Sequence, residues 1–126
     1  LGSDAYETYL QWLHYAEGSA MLPLMLFMYA ARLGEAGAPL HPRIESEIAN
    51  HMGYIDQSLA GKDWLLGGEM TAADIQLSFV GEVLGAFGKL DAYPNIKAWV
   101  GRFQKRPAYK AALEKGGAYS FVRQDA

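Results

Sequence analysis

The segment from Ala72 to Leu84 limits the possible folds most, because it is apolar on almost every side of a helix. Such a helix is stable only when other elements surround it, so the segment predicts the central helix of a helical core. One carboxylate, Asp74, stands near its start, and a carboxylate in an apolar segment is costly unless hydrogen bonds satisfy it. Other segments of the same chain must therefore enclose this helix with apolar side chains and supply hydrogen-bond donors to Asp74.

The chain before this segment predicts two further helices. The first runs from an N-cap at Ser3 to a C-cap at Gly34, with apolar residues at the three-and-four spacing of a buried stripe. Pro23 is expected to bend it, because proline lacks an amide hydrogen and its ring crowds the preceding turn. Residues 34–42 are expected to form a loop, and Arg43–Leu59 to form the second helix.

The chain after the central helix predicts two more helices. One begins near Pro94 and breaks at Arg106, and Pro107 suits the first position of a short fifth helix. The tail from Gly116 is expected to be irregular. Since no segment shows sustained strand alternation, the 126 residues predict an all-α bundle of about five helices in one domain.

Composition excludes several classes of protein. The net charge of -3 and the pI of about 5.5 argue against a nucleic-acid or anionic-membrane surface. The chain has no cysteine, which removes disulfides and thiolate metal ligands and fits a reducing cytoplasm. The longest apolar stretch, Ala20–Ala31, is too short to span a bilayer.

Thr71 and Asp74 have the spacing of a capping box, which offers the carboxylate a structural role. With Thr71 as N-cap, Asp74 is the third helical residue, and each side chain can bond the backbone amide of the other. Met70 and Ile75 stand where a hydrophobic staple is expected. A catalytic carboxylate would need a partner base, and none is nearby in the sequence. The structural interpretation is therefore preferred.

Two histidine–glutamate pairs suggest a metal site only superficially. Glu47 and His51 are four residues apart, and His14 and Glu17 are three apart. A helical di-iron site needs two Glu-x-x-His motifs and two further glutamates, and neither pair has that order and spacing. We therefore expect no metal.

Three segments carry a resemblance to a known family: "YLQWLHYAEGSAMLPLM", "WLLGGEMTAADIQLSFV" and "YPNIKAWVGRFQKRPAYKAAL". In this order they resemble the C-terminal helical domain of bacterial glutathione S-transferases, over about Asp4 to Leu113. The resemblance implies a homodimeric cytoplasmic enzyme with a preceding thioredoxin-like domain, which has no counterpart in these residues. That domain binds glutathione and activates its thiol, while the helical domain lines the pocket for an apolar electrophile. Glutathione is then a substrate, no cofactor is implied, and this chain alone is expected to be inactive.

The resemblance also implies that residues on the first helix bind substrate. His14, Glu17, Gly18 and Ser19 lie at the turn that approaches the glutamyl end of glutathione across the dimer. Glu17 would accept from the glutamyl ammonium and His14 would donate to a carboxylate. The alternative is an ordinary solvated His–Glu pair, since residues three apart share a helix face.

The same helix and the tail offer residues for the electrophile pocket. Met21, Leu22 and Met25 are the candidates, because methionine adapts to varied ligands. Methionines at helical spacing are more often core residues, and that alternative is the stronger one. Tyr119 and Phe121 are candidates for a lid over the pocket.

A second function remains open. Helical domains of this family also serve as non-catalytic modules that bind partner proteins, for instance on elongation factors and aminoacyl-tRNA synthetases. The polar turn at His14, Glu17 and Ser19 favours the enzyme. A thioredoxin-like segment upstream of Leu1 would decide between them.

Overall fold

The all-α fold is confirmed by a computed structural model, which describes residues 3–117 and 119–121. Within these residues the only β-type pairing is a bridge between Trp64 and Gly67. None of the helices in this part of the chain is long and apolar enough to traverse a bilayer. The α-helices in chain order are α1 Asp4–Tyr15, α2 Met21–Arg32, α3 His41–Leu59, α4 Ala72–Ala86, α5 Pro94–Gln104 and α6 Pro107–Gly116.

The predicted long first helix consists of α1 and α2, which a π-helical turn at Ala16–Ala20 joins. Its start is capped by Ser3, whose hydroxyl accepts from the Tyr6 amide at 3.3 Å. Beyond its end, Gly34 has a φ of +58°, a left-handed conformation that glycine adopts without steric cost. The predicted start is confirmed, and the C-cap is Leu33, one residue before the predicted Gly34.

The interruption of this helix lies before Pro23. In the π-helical turn, the Met21 amide donates to the Ala16 carbonyl, five residues back, where an α-helix would bond four residues back. Pro23 has no amide to donate, and its ring crowds the turn before it. The change in hydrogen-bond register therefore occupies the turn that the ring of Pro23 was expected to crowd.

The predicted loop at residues 34–42 is wrong. Gly34–Leu40 forms a 3₁₀ helix, and α3 begins at His41, two residues earlier than expected. Pro42 lies in the first turn of α3. Amides in this turn make no hydrogen bond within the helix, so the missing amide of proline costs nothing there. Gly37 is buried against the backbone of Ala30, and any Cβ would collide with the Ala30 carbonyl. Close packing thus gives this Gly- and Pro-rich segment a regular conformation.

α4 is the central helix, as its sequence predicts, and it extends to Ala86. It contacts α1, α2 and α5, while α3 packs against α2 and α5. The side chains that fill the centre are almost completely buried: Leu24, Ile48, Met52, Ile55, Leu65, Leu77, Val80, Val83, Leu84, Ile96 and Trp99.

A side chain of α3 caps the start of α5. Asp56 Oδ1 accepts from the Asn95 and Ile96 amides at 2.8 and 2.9 Å, and Oδ2 accepts from Asn95 Nδ2 at 2.9 Å. These amides belong to the first turn of α5, which has no acceptor within its own helix. The helix that follows, α6, begins at Pro107 after an extended Arg106, as predicted.

Candidate functional site

Asp74 is 1% exposed and accepts hydrogen bonds from three parts of the chain. Oδ2 accepts from the Thr71 amide at 2.9 Å and the Thr71 hydroxyl at 3.3 Å, and the hydroxyl accepts from the Ala73 amide. Oδ1 accepts from the Leu65 amide and from the Trp99 indole nitrogen, both at 3.0 Å. The carboxylate therefore joins α4, α5 and the segment before α4, and these donors satisfy both of its oxygens.

The accompanying hydrophobic staple buries little surface. Met70 is half-buried, but Ile75 is 62% exposed. In the described part of the chain, no three His, Cys, Asp or Glu side chains come together as metal ligands.

The polar substrate-binding candidates lie at the junction of α1 and the π-helical turn. His14, Glu17 and Gly18 are exposed, and Ser19 is half-buried. The side chains of His14 and Glu17 make no hydrogen bond or ion pair with each other or with any other residue that the structure describes. Both side chains are therefore free to meet a group outside this domain.

The apolar candidates separate into different environments. Met21 is buried in the core, and Met25 packs half-buried against the same core. The side chain of Leu22 is exposed. Met21 and Leu22 are consecutive residues, so their side chains point about 100° apart around the helix and meet different surroundings.

A groove of about 350 Å³ lies between the first helix and α3. We call it the first-helix groove. It brings together three of the predicted residues, Gly18, Ser19 and Leu22, and leaves out His14, Glu17, Met21 and Met25. The remaining lining residues are Pro23, Leu26, Arg43, Ile44, Glu47 and His51.

A polar network closes one side of the first-helix groove. Arg43 Nη2 pairs with Glu47 Oε1 at 2.9 Å, and His51 Nε2 lies 3.8 Å from Glu47 Oε2. The Tyr15 hydroxyl lies 2.7 Å from His51 Nδ1. Burial, with a smaller effect of Tyr54, raises the pKa of Tyr15 to about 12. The phenol therefore keeps its proton at neutral pH and can donate to Nδ1, which leaves the Nε2 proton facing Glu47.

Part of this network was visible in the sequence. The spacing of Arg43, Glu47 and His51 by four residues places them on one face of α3. From the sequence, Glu47 and His51 were candidates only for metal ligands. The contact of Tyr15 with His51 could not be predicted from the sequence. The two residues are 36 apart, and only the packing of α1 on α3 brings their rings together.

Tyr119 and Phe121, the candidates for a lid over an electrophile pocket, do not line the first-helix groove. The Tyr119 hydroxyl donates to Glu82 Oε2 at 2.8 Å, and the Phe121 ring packs edge-on against Phe79 at 5.4 Å. Both partners belong to α4. Glu82, which was not among the residues predicted from the sequence, supplies the buried acceptor that directs the tail to α4.

Comparisons with known proteins agree with this fold. Residues 16–107 match the family described as glutathione S-transferase, C-terminal domain. A crystal structure of a glutathione S-transferase from Actinobacillus pleuropneumoniae superposes with a TM-score of 0.78 at 29% identity, over 97% of this chain and 56% of that one. The chain therefore belongs to the glutathione S-transferase C-terminal domain family.

Curated relatives carry the same family name. Glutathione S-transferase 3 of Schizosaccharomyces pombe is 28% identical over 86% of this chain and 51% of its own length. Glutathione S-transferase 1 of Saccharomyces cerevisiae is 23% identical over 85% of this chain and 53% of its own. Glutathione S-transferase P of Homo sapiens is 40% identical over 47% of this chain and 29% of its own. The chain thus spans about half the length of its two fungal relatives.

Proposed function

We propose that this chain is the helical domain of a two-domain glutathione S-transferase, in which its first helix borders the site for glutathione and an apolar electrophile. The observation that carries the proposal is the polar turn at His14 and Glu17, which is exposed and has no partner among the residues described. Family membership and the fold likeness support the reaction class. The thiol-activating residue would belong to the thioredoxin-like domain, so we expect the chain alone not to conjugate glutathione.

The proposal includes assembly as a homodimer in a bacterial cytoplasm. In such a dimer, Glu17 would accept from the glutamyl ammonium of glutathione, and His14 would donate to its carboxylate. Gly18, Ser19 and Leu22 would then line the adjacent surface, and Leu22 would offer an apolar contact. Met21 would support this surface only from the core beneath it. Met25, which is half-buried, would do so for the most part.

Kinetics of the protein that carries this chain behind a thioredoxin-like domain test the proposal. Contacts to a part of glutathione remote from its sulfur stabilise the ground state and the transition state alike, so their loss acts mainly on KM. We expect Glu17→Gln and His14→Ala each to raise KM for glutathione by roughly ten-fold or more, with little change in kcat, because a desolvated charged contact is worth roughly 1.5–3 kcal/mol.

Glu7→Gln is the matched control, since Glu7 is an exposed acid on the same helix in its first turn. It should leave KM for glutathione at the wild-type value. Wild-type KM in both Glu17→Gln and His14→Ala would show that this face is merely solvated.

A non-catalytic interaction module is the second candidate function. It is favoured by an exposed apolar face on α2, formed by Leu22, Leu26, Tyr29 and Leu33. The two functions differ in what precedes the chain and in activity. A thioredoxin-like segment upstream, together with glutathione conjugation by the whole protein, would exclude the module.

A further inference from the structure

Glu82 lies in the middle of α4, where it is only 5% exposed and receives hydrogen bonds from three neutral side chains. The Tyr109 hydroxyl and Gln104 Nε2 donate to Oε1, and the Tyr119 hydroxyl donates to Oε2 at 2.8 Å. Burial, followed by the bond to Glu82, raises the pKa of both phenols above their usual range. The two tyrosines therefore remain donors over the physiological pH range.

These donors satisfy the oxygens of Glu82 but do not balance its charge. No ion pair involves Glu82 within residues 3–117 and 119–121. A buried carboxylate that lacks a cation retains a large desolvation cost, and buried charges in proteins are normally paired. The charge of Glu82 is thus complementary to a cation that the described chain does not supply.

A cavity of about 270 Å³ adjoins this carboxylate, and we call it the Glu82 cavity. Apart from Glu82, Lys97 and Gln104, the residues that form its walls are apolar or glycine. A Cβ added to Gly101 would meet no atom within 4 Å, so the space above this residue is open. The other lining residues are Gly81, Gly85, Leu90, Lys97, Val100 and Phe121.

Lys97 is the one other charged side chain among these lining residues. Its ammonium binds Asp91 Oδ1 at 2.6 Å, and the lysine is 60% exposed. It makes no ion pair with Glu82 in the part of the chain described. The ammonium of Lys97 therefore pairs with Asp91 at the surface, and the charge of Glu82 at the interior end of the Glu82 cavity stays uncompensated.

We propose that the Glu82 cavity binds a small primary amine with an aromatic or apolar body, whose ammonium pairs with Glu82. The ammonium would bring the missing charge, and the body would contact Leu90, Val100 and Phe121. An aromatic ring such as that of Phe121 also attracts cations through its face. A divalent metal ion fits less well, because it needs several charged oxygen ligands and no such group of three exists among the described residues.

The tail is part of this site. Phe121 forms a wall of the Glu82 cavity and packs against Tyr119 at 5.8 Å and Phe79 at 5.4 Å. Tyr119, in turn, is held by Glu82. Occupation of the cavity and attachment of residues 119–121 to α4 therefore depend on the same carboxylate.

Binding of benzylamine to the 126-residue chain, compared with benzyl alcohol and benzoate, tests the proposal. The three probes share one ring and differ in charge. We expect benzylamine to bind and to shift the backbone amide signals of Gly81, Gly85 and Gly101 in ¹H–¹⁵N NMR spectra. Benzyl alcohol should bind at least ten-fold more weakly, and benzoate should not bind. Equal binding of the amine and the alcohol would overturn the proposal.

Variants locate the site. Glu82→Gln keeps the shape and an acceptor for the tyrosines, and it should weaken benzylamine binding at least ten-fold. Glu45→Gln removes a carboxylate that Lys89 already pairs at 2.9 Å, and it should leave binding unchanged. Far-UV circular dichroism checks that both variants fold. Undiminished binding in a folded Glu82→Gln variant would refute the assignment.

Lys97→Met tests whether the counter-ion of Glu82 is a bound ligand or Lys97 itself, and it leaves Glu82 unchanged. If a ligand supplies the cation, this variant should bind benzylamine at least as well as the wild type. Should benzylamine bind only after Lys97 is replaced, Lys97 would itself be the counter-ion of Glu82 in solution, and the proposal would be wrong. Tyr119→Phe keeps the charge of Glu82, so it should retain the preference for amine over alcohol.

Discussion

At the scale of single residues, Asp74 has the strongest structural role that the contacts show. Its oxygens accept from the amide and hydroxyl of Thr71, the amide of Leu65 and the indole of Trp99. A capping box alone would involve only Thr71 and the first turn of α4. The contact with Trp99 adds a link between two packed helices, so the loss of Asp74 affects more than a helix end.

Asp74→Ala should therefore destabilise the chain far more than removal of the cap hydroxyl. The substitution leaves the buried donors of Leu65 and Trp99 unsatisfied, and each such donor costs about 1–3 kcal/mol. We expect the free energy of unfolding to fall by about 3–5 kcal/mol, compared with about 1 kcal/mol for Thr71→Ala. Urea denaturation of both variants measures the difference.

The opposite result would identify Asp74 as a functional residue. If Asp74→Ala unfolded at the wild-type urea concentration and yet abolished ligand binding by the whole protein, the structural role would be disproved. Thr71→Ala serves as the control in that experiment because it alters the same helix start without removing the carboxylate.

At the scale of helices, the crossing of α4 and α5 depends on Gly81. A Cβ at this position would lie 2.8 Å from Val100 Cγ2 and 3.1 Å from Trp99 Cζ3. These distances are shorter than normal van der Waals contacts, so the two helices could not approach as closely with any larger residue. Trp99 is itself buried and bonded to Asp74, which leaves it little freedom to move.

Gly81→Ala should lower the free energy of unfolding, whereas Gly53→Ala in α3 should raise it. Both glycines lie inside helices, where alanine is intrinsically better by about 1 kcal/mol. At Gly53 no atom lies within 4 Å of an added Cβ, so the intrinsic gain of about 0.5–1 kcal/mol should appear. At Gly81, overpacking of about 1–3 kcal/mol should outweigh it.

Thermal or urea unfolding of the two variants provides the comparison. Because the same chemical change is made in both helices, differences in propensity largely cancel. Equal stabilisation by both substitutions would mean that α4 and α5 do not pack as closely as the structure describes.

At the scale of the whole molecule, the exposed apolar face of α2 is the most conspicuous surface. Leu22, Leu26, Tyr29 and Leu33 follow one another at spacings of four, three and four residues, and they are 44–61% exposed. This spacing places them on one side of the helix. Contiguous apolar surface of this kind marks an interaction site in soluble proteins.

The isolated chain should therefore self-associate through this face. We expect sedimentation velocity to show species larger than the 13.8 kDa monomer, and Leu26→Glu to shift the distribution toward the monomer. Ile75→Glu is the matched control, because Ile75 is a comparably exposed residue on α4, away from this face. A monomeric wild-type chain, or an equal effect of the two substitutions, would contradict this role of α2.

The sequence by itself determined the helices, most of their ends and the family. Periodicity, Ser3, Gly34 and Pro107 act within a few residues of one another, so their effects can be read locally. The predicted loop at residues 34–42 is wrong, because contact with Ala30 decides the conformation there. The register change before Pro23 falls in the turn that the proline ring was expected to crowd.

Only the tertiary structure decided which polar groups meet. Trp99 is 25 residues from Asp74, His51 is 36 from Tyr15, and Tyr119 is 37 from Glu82. Such partners are chosen by how the helices rotate and cross, which depends on the simultaneous packing of the whole core. The sequence therefore predicts that Asp74 needs donors but not that Trp99 is one. It likewise contains Glu82 without indicating that the tail folds back to it.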